Sequence, residues 1–76
     1  MCTISVELDT SGLMCPLPLL RLKKALQGMA SGQVIRVLAT DPASVLDFGV
    51  FVEQAGHTLL ERRERAGTLC YTIRKG

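Results

Sequence analysis

The chain has 76 residues, of which 47% are hydrophobic and 21% charged, and its net charge is +2. A chain of this length is expected to form one domain over residues 1–76 and to bury only about 60% of its unfolded surface, which argues against a deep substrate pocket. The composition excludes a disordered chain, and the apolar runs are shorter than the roughly 20 residues that cross a bilayer. The net charge is too small to indicate direct nucleic-acid binding by itself.

The N-terminus lacks the basic region and apolar core of a secretory signal, which predicts a cytoplasmic protein with reduced thiols. Its three cysteines, Cys2, Cys15 and Cys70, are odd in number and widely spaced, a pattern that fits neither a disulfide framework nor paired metal ligands. His57 is the only histidine. We therefore expect no metal site and no cofactor.

Hydrophobic periodicity predicts the first four elements. Alternating apolar residues predict a strand over residues 3–8, and a leucine stripe predicts a helix over residues 16–28. A β-branched run predicts a second strand over residues 33–40, after which Asp41-Pro42 should open a second helix that ends at Gly56. The buried helix positions are expected to be Leu19, Leu22, Leu26, Met29, Val45, Phe48, Val52 and Ala55.

Two more strands, residues 57–64 and 68–74, flank a hairpin loop at Arg65-Ala66-Gly67. The order is βαβαββ, which predicts an α/β (α+β) two-layer sandwich with both helices on one face of a four-stranded mixed sheet. The other face should stay open, with Cys70 on it. The alternate residues of the last strand should face the helices: Leu69, Tyr71 and Ile73.

The segment Cys15-Pro16-Leu17-Pro18 carries the features expected for covalent chemistry. As N-cap of the first helix, Cys15 would lie at the positive end of the helix dipole, which favours the thiolate and lowers the pKa of the thiol. Because Pro16 and Pro18 have no N–H, we expect this lowering to be moderate. The two prolines also stiffen the segment that presents the sulfur.

Further residues are expected to support this segment. Asp9 ends the first strand, and Gly12 supplies backbone freedom for the tight exit from it. Both strand-to-helix turns should meet at one edge of the sheet, so we expect Cys15 beside Asp41-Pro42. His57 shows no sign of convergence on Cys15, which disfavours a cysteine hydrolase. A purely structural Cys15, buried at a helix start, is the alternative.

The motif residues together resemble the TusA/SirA-like family of sulfur carriers. They are Leu8-Asp9, Gly12-Leu13, Cys15-Pro16-Leu17-Pro18, Asp41-Pro42, Asp47, Gly56-His57, Leu59-Leu60, Tyr71 and Ile73-Arg74-Lys75. The resemblance implies a fold like the C-terminal domain of translation initiation factor three. It also implies that Cys15 carries sulfane sulfur as a persulfide, received from a cysteine desulfurase or rhodanese and passed to a DsrE-like or other acceptor protein.

In relatives the sulfur serves tRNA thiolation, molybdenum-cofactor enzymes or sulfur oxidation. This chain departs from the family pattern at Gly49, where many relatives have proline and where we expect a kink in the second helix, and at Leu17, where some have glutamate. The basic residues Arg21 and Lys24, on the exposed side of the first helix, are candidates for docking acidic partner surfaces.

The sequence thus predicts a small sulfur carrier, sulfurtransferase-like in chemistry, that acts with partner enzymes. The alternative is a non-catalytic protein- or RNA-binding regulatory module of the same fold. A thiocarboxylate carrier would end in two glycines, whereas this chain ends Lys75-Gly76. A thiol redox protein would need a resolving cysteine near Cys15, and neither Cys2 nor Cys70 is expected there.

Overall fold

The computed structural model describes residues 4–76, so the prediction for Cys2 lies outside the described residues. Its helices and strands follow the predicted order, and the βαβαββ fold is confirmed. The strands are β1 (Ile4–Thr10), β2 (Val34–Ala39), β3 (Thr58–Arg65) and β4 (Thr68–Arg74), and the helices are α1 (Leu17–Gln27) and α2 (Ser44–Gln54).

The strands form a mixed sheet in the order β1-β2-β4-β3. β1 pairs with β2 in parallel, with Leu8 opposite Val37, and β4 pairs antiparallel with both β2 and β3. Because β1 and β2 run in the same direction, their carboxyl ends meet at one edge of the sheet. The chain leaves that edge twice, once towards α1 and once towards α2.

The core lies between the two helices and one face of the sheet. Its buried cluster consists of Leu22, Leu26, Met29, Ile35, Val37, Ala39, Phe48, Val52, Leu69, Tyr71 and Ile73. Leu19 is half-buried at the margin of this cluster. The periodic leucines of α1 and the apolar stripe of α2 therefore pack on the same face of the sheet, as the binary pattern predicts.

Two positions predicted to be buried in the second helix are exposed. Val45 is 37% exposed, because the inward position of the first turn is taken by Ser44, which is 2% exposed. Ala55 is exposed as the C-cap that follows the last turn. The helix begins at Ser44, three residues after Asp41, so its buried face is centred on Phe48 and Val52.

The opposite face of the sheet is open. Along β4 the residues Leu69, Tyr71 and Ile73 are buried, whereas on the other face Cys70 is only half-buried, as predicted, and Thr72 is 9% exposed. β3 lies at the edge of the sheet and all of its residues are exposed. This edge carries five consecutive charged residues, 61–65, which discourages pairing with another strand.

One local feature differs from expectation. The hairpin loop contains two residues, Ala66 (φ 51°) and Gly67 (φ 84°), a left-handed pair typical of a type I′ turn, so Arg65 belongs to β3. α2 continues through Gly49 as one uninterrupted helix, and the kink expected there stays a prediction. No helix within residues 4–76 is long and apolar enough to cross a membrane.

Candidate functional site

Cys15 is exposed in the loop that joins β1 to α1, and this loop is tied to the end of β2. The buried hydroxyl of Thr10 donates to the carbonyl oxygen of Leu38 over 2.6 Å. The backbone N–H of Gly12 donates to Oγ1 of Thr40 over 2.8 Å. Gly12 has φ 82°, a left-handed conformation that favours glycine, so this residue sets the direction of the loop.

Asp41 joins the Cys15 loop to the turn that precedes α2. Its Oδ2 accepts the backbone N–H of Cys15 over 2.5 Å, and its Oδ1 accepts that of Ala43 over 3.1 Å. One carboxylate therefore fixes both strand-to-helix turns at the carboxyl edge of the sheet. The predicted proximity of Cys15 to Asp41-Pro42 is confirmed.

The side chain of Cys15 is directed to α2. Its Sγ donates to Oδ2 of Asp47, in the first turn of α2, over 3.2 Å. The hydrogen bond to Asp47 raises the pKa of the Cys15 thiol, and partial desolvation and the negative charges of Asp47 and Asp41 raise it further. The expected lowering of the Cys15 pKa is therefore wrong in direction for the free protein.

The reason is the place where α1 begins. Pro16 is the N-cap and Leu17 the first helical residue, so Cys15 precedes the cap, joined to Pro16 by a cis peptide bond. The backbone N–H of Leu17 donates to the carbonyl oxygen of Met14 over 2.8 Å. The first amide of α1 is thus taken by the loop, and the sulfur has the carboxylate of Asp47 as its partner instead of the helix terminus.

A buried hydrogen bond holds the first turn of α2 in place. Oγ of Ser44 and the hydroxyl of Tyr71 are 2.8 Å apart in the core, and the ring centroids of Phe48 and Tyr71 are 4.6 Å apart. Burial raises the pKa of Tyr71. Because Asp47 lies on the same turn as Ser44 and Phe48, β4 indirectly determines where the carboxylate meets Cys15.

The other residues predicted to support the site lie close to it in the chain but do not contact the sulfur. Oδ1 of Asp9 accepts the backbone N–H of Ser11 over 2.9 Å, and hydrogen bonds from Ser11 lower the pKa of Asp9. Pro16 is exposed at the cap, whereas Pro18 is buried against the core side of α1. These residues shape the loop and the helix start from which Cys15 projects.

Arg21 and Lys24 are exposed and line a shallow depression with Leu8 and Ala25, on the β1 side of α1. A second depression, which we call the interhelical groove, lies between α1 and α2. It is lined by Leu19, Lys23, Leu46, Asp47, Val50, Phe51 and Gln54. The basic residue that shares a surface with Asp47 is thus Lys23, and the docking role of Arg21 and Lys24 stays a prediction.

The sequence predicts Asp47 only as part of the family pattern and not as a candidate site residue. A signal for it was present, since acidic residues are favoured in the first turn of a helix, and this helix starts at the sheet edge where Cys15 lies. Within residues 4–76, no group of three or more His, Cys, Asp or Glu side chains is arranged to hold a metal ion.

Large apolar side chains are exposed on the segments next to Cys15 and Asp47. They are Met14, Leu17, Leu20, Leu46 and Val50, with exposed fractions from 44% to 72%. Single exposed apolar residues are ordinary on a protein surface, but several on adjoining segments indicate a contact surface. The Cys15 thiol therefore lies on a largely apolar surface that also contains the carboxylates of Asp41 and Asp47.

The sequence is similar to known proteins over most of its length. The family model described as Sulfurtransferase TusA matches residues 6–75. The chain belongs to this family. Similar proteins include the sulfur carrier protein TusA of Allochromatium vinosum, 55% identical over 91% of each chain, and a putative sulfur carrier protein of Neisseria meningitidis serogroup A, 48% identical over 91% of this chain and 93% of the relative.

A solved structure supports the same assignment. The crystal structure of a SirA-like protein from Desulfitobacterium hafniense superposes with a TM-score of 0.81 at 32% identity, covering 93% of this chain and 97% of that one. The resemblance drawn from the Cys15-Pro16-Leu17-Pro18 motif is thereby confirmed for the family and for the fold.

Proposed function

We propose that this protein is a sulfur carrier that holds sulfane sulfur as a persulfide on Cys15. The observation that carries the proposal is an exposed thiol on a loop whose backbone is fixed by hydrogen bonds to Asp41 and Thr40. Such a thiol is accessible to a partner. Because its loop is already ordered, little conformational entropy is lost when the partner docks. The names of the TusA-family relatives support the same role.

The transfer step needs only the thiol and its partners. Cys15 loses its proton, and the thiolate attacks the outer sulfur of a donor persulfide, R–S–SH. A bond forms between Sγ of Cys15 and that sulfur, and the S–S bond of the donor breaks. The electron pair leaves with the inner donor sulfur, which takes up a proton as R–SH. The step is redox-neutral and consumes no cofactor.

Delivery reverses the roles. An acceptor thiolate attacks the outer sulfur of the Cys15 persulfide, the Cys15 S–S bond breaks, and Cys15 leaves as a thiolate that is then protonated. The carrier is regenerated without a reductant. A thiol placed at an exposed edge of the sheet suits this exchange, because each partner must bring its own sulfur atom into line with Sγ.

The setting of His57 supports a carrier that works with partner enzymes over a self-contained hydrolase. Nδ1 of His57 accepts the backbone N–H of Gly76 over 2.9 Å, and its ring lies 5.6 Å from that of Phe51. Phe51 and Gly76, the two residues that His57 contacts, lie at the end of the molecule where α2 ends. The acid–base group that Cys15 contacts is Asp47, a carboxylate and not the imidazole that a cysteine hydrolase needs.

For partners, we propose a cysteine desulfurase or a rhodanese as sulfur donor and a DsrE-like or other sulfur-binding protein as acceptor, in the cytoplasm. The exposed apolar side chains beside Cys15 support docking of a protein surface. The pathway served, whether tRNA thiolation, molybdenum-cofactor synthesis or sulfur oxidation, is decided by the acceptor.

Intact mass measurement after incubation with a cysteine desulfurase and labelled cysteine tests the proposal. We expect a gain of one sulfur atom that a reductant removes. Cys15→Ser should abolish the gain, and Cys70→Ser, the matched control in β4, should keep it. The proposal fails if the Cys15→Ser protein still gains the sulfur, or if neither a desulfurase nor a rhodanese loads the wild-type protein.

A further inference from the structure

Within the part of the chain that the structure describes, the carboxylates that meet the Cys15 segment form no ion pair. Within residues 4–76 the ion pairs join Arg36 to Glu7 and Arg63 to Glu61, so that neither Asp41 nor Asp47 takes part in one. The carboxylate of Asp9 accepts the N–H of Ser11. The amine of Lys23, which lines the interhelical groove, lies 5.3 Å from the centroid of the Phe51 ring.

The two carboxylates beside Cys15 differ in what holds them. Asp41 accepts a backbone N–H on each of its oxygens, so it is part of the framework of the loop. Among the residues that the structure describes, the side chain of Asp47 accepts a hydrogen bond only from Sγ of Cys15. A change in the partner of Asp47 therefore leaves the backbone of the site in place, whereas a change at Asp41 does not.

We propose that Asp47 is a positioning residue that keeps the Cys15 thiol as its hydrogen-bond donor in the free carrier, until a cationic side chain of a docked partner takes over the carboxylate. The inference rests on the proposed function and adds a condition to it. The carrier is held in a less reactive thiol form between partners, and docking releases the thiolate for the attack described above.

The surroundings of the contact explain why the partner must supply a cation. Met14 and Leu17 flank the Cys15 segment and Leu46 precedes Asp47, and all three are exposed. Because Cys15 contacts both Asp41 and Asp47, a partner that covers these apolar side chains also removes water from the two carboxylates. Burying carboxylates without a positive partner is costly, and it would favour the thiol even more. A lysine or arginine opposite Asp47 offsets that cost.

The same cation changes the protonation of Cys15. A carboxylate engaged in an ion pair is a poorer acceptor for the thiol and repels the thiolate less, so the raised pKa of Cys15 falls on docking. The thiol proton passes to bulk water as the partner docks, and the thiolate then attacks the outer sulfur of the donor persulfide. No oxidant or reductant enters the step.

Thiol alkylation measures the first half of this inference without any sulfur chemistry. In a Cys2→Ser/Cys70→Ser background, where Cys15 is the only cysteine, the rate with iodoacetamide is followed from pH 6 to pH 10. We expect Asp47→Asn to move the midpoint to lower pH and to raise the rate at pH 7.5 by about threefold or more, because more thiolate is present.

Matched variants separate this effect from a change in helix structure. Glu53→Gln removes an exposed carboxylate from the same helix and should leave the profile of Cys15 unchanged. Asp47→Glu keeps the charge and should restore most of the wild-type profile. Circular dichroism verifies that α2 is retained, and Asp47→Ser provides a second neutral variant. An unchanged midpoint in both neutral variants would overturn the role of Asp47.

Sulfur loading measures the second half. With glutathione persulfide, a donor without a cationic protein surface, Asp47→Asn should load about threefold faster than wild type near pH 7.5. With a cysteine desulfurase this advantage should disappear, since the enzyme supplies the cation for wild type. Equal acceleration with both donors would contradict displacement by a partner. If no donor loads sulfur, the proposed function fails, while the alkylation profile still decides the role of Asp47.

Discussion

Cys15 and Cys70 are both free thiols, yet the fold gives them different neighbours. Cys15 lies in a loop, and the residue that contacts its sulfur, Asp47, comes from a helix 32 positions further along the chain. Cys70 lies in the middle of β4, where its register partners are Leu38 on β2 and Arg63 on β3. A loop at the sheet edge therefore lets another element control the thiol, whereas a strand position assigns only cross-strand neighbours.

The two thiols are nevertheless connected through β4. Tyr71 follows Cys70 and points to the opposite face, where its hydroxyl meets Ser44 at the start of α2. One face of β4 thus carries a half-buried cysteine, and the other supports the helix turn that carries Asp47. Substitutions of core residues that pack under this turn should alter the environment of the Cys15 sulfur. Substitutions on the open face of β4 should not.

Among the substitutions that test this support of α2, Phe48→Ala should have the largest effect on stability. Phe48 is fully buried between α2 and Tyr71, so its removal leaves a cavity and should lower the free energy of unfolding by about 3–5 kcal/mol. Urea unfolding measures this. Val50→Ala, on the exposed side of the same helix, is the control and should cost far less. A loss below about 1 kcal/mol for Phe48→Ala would show that α2 is not anchored there.

Tyr71→Phe should have a smaller effect. It removes the hydroxyl that pairs with Ser44 and leaves a buried hydroxyl without its partner, which should lower the free energy of unfolding by about 1–3 kcal/mol. The Ser44→Ala/Tyr71→Phe double variant should cost less than the sum of the two single changes, because it removes both buried groups. Strict additivity in the double-mutant cycle would mean that the two hydroxyls do not interact.

The effect of Tyr71→Phe should also depend on pH. Burial raises the pKa of Tyr71 above its ordinary value near 10, so above that pH the unfolded chain loses the phenol proton while the folded chain keeps it. The unfolded state then binds fewer protons, and stability falls as pH rises. Tyr71→Phe lacks this loss, so the stability difference between the two proteins should narrow above pH 10 in urea unfolding. A constant difference up to pH 11 would contradict it.

The fold could be predicted from the sequence because it depends on patterns that repeat along each element. The leucines of α1 and the alternation in β1 and β4 each indicate one buried face, and the parallel start of the sheet brings Cys15 to Asp41. The pKa of Cys15 could not be predicted in the same way. It depends on whether the N-cap of α1 is residue 15 or residue 16, and on which side chain of α2 reaches the sulfur.

Val45 illustrates the same limit within a helix. An apolar stripe was expected to include it, but a polar residue, Ser44, takes the inward position because Tyr71 offers its hydroxyl a buried partner. Such pairs between side chains distant in sequence are decided by tertiary packing. Local periodicity does not reveal them, whereas it does place Phe48 and Val52 correctly.

The smallest expected effect concerns the charges on the two sides of α1. Arg21 and Lys24 lie on the β1 side, and Lys23 lies on the side of the interhelical groove with Asp47. If the first pair steers acidic partner surfaces, Arg21→Glu/Lys24→Glu should slow sulfur transfer by about threefold at low salt and less near 0.5 M salt, since salt screens exposed charges.

Lys23→Glu is the matched control for the opposite side of the helix. It places a negative charge next to Asp47, where a cationic partner group is expected, and should therefore leave transfer from a desulfurase unchanged or make it slightly faster at low salt. Rates of sulfur transfer, measured in quenched time courses at two ionic strengths, distinguish these responses. If the Arg21/Lys24 variant transfers sulfur at the wild-type rate at low salt, docking does not use the β1 side of α1, and the interhelical groove with Asp47 is left as the surface that partners approach.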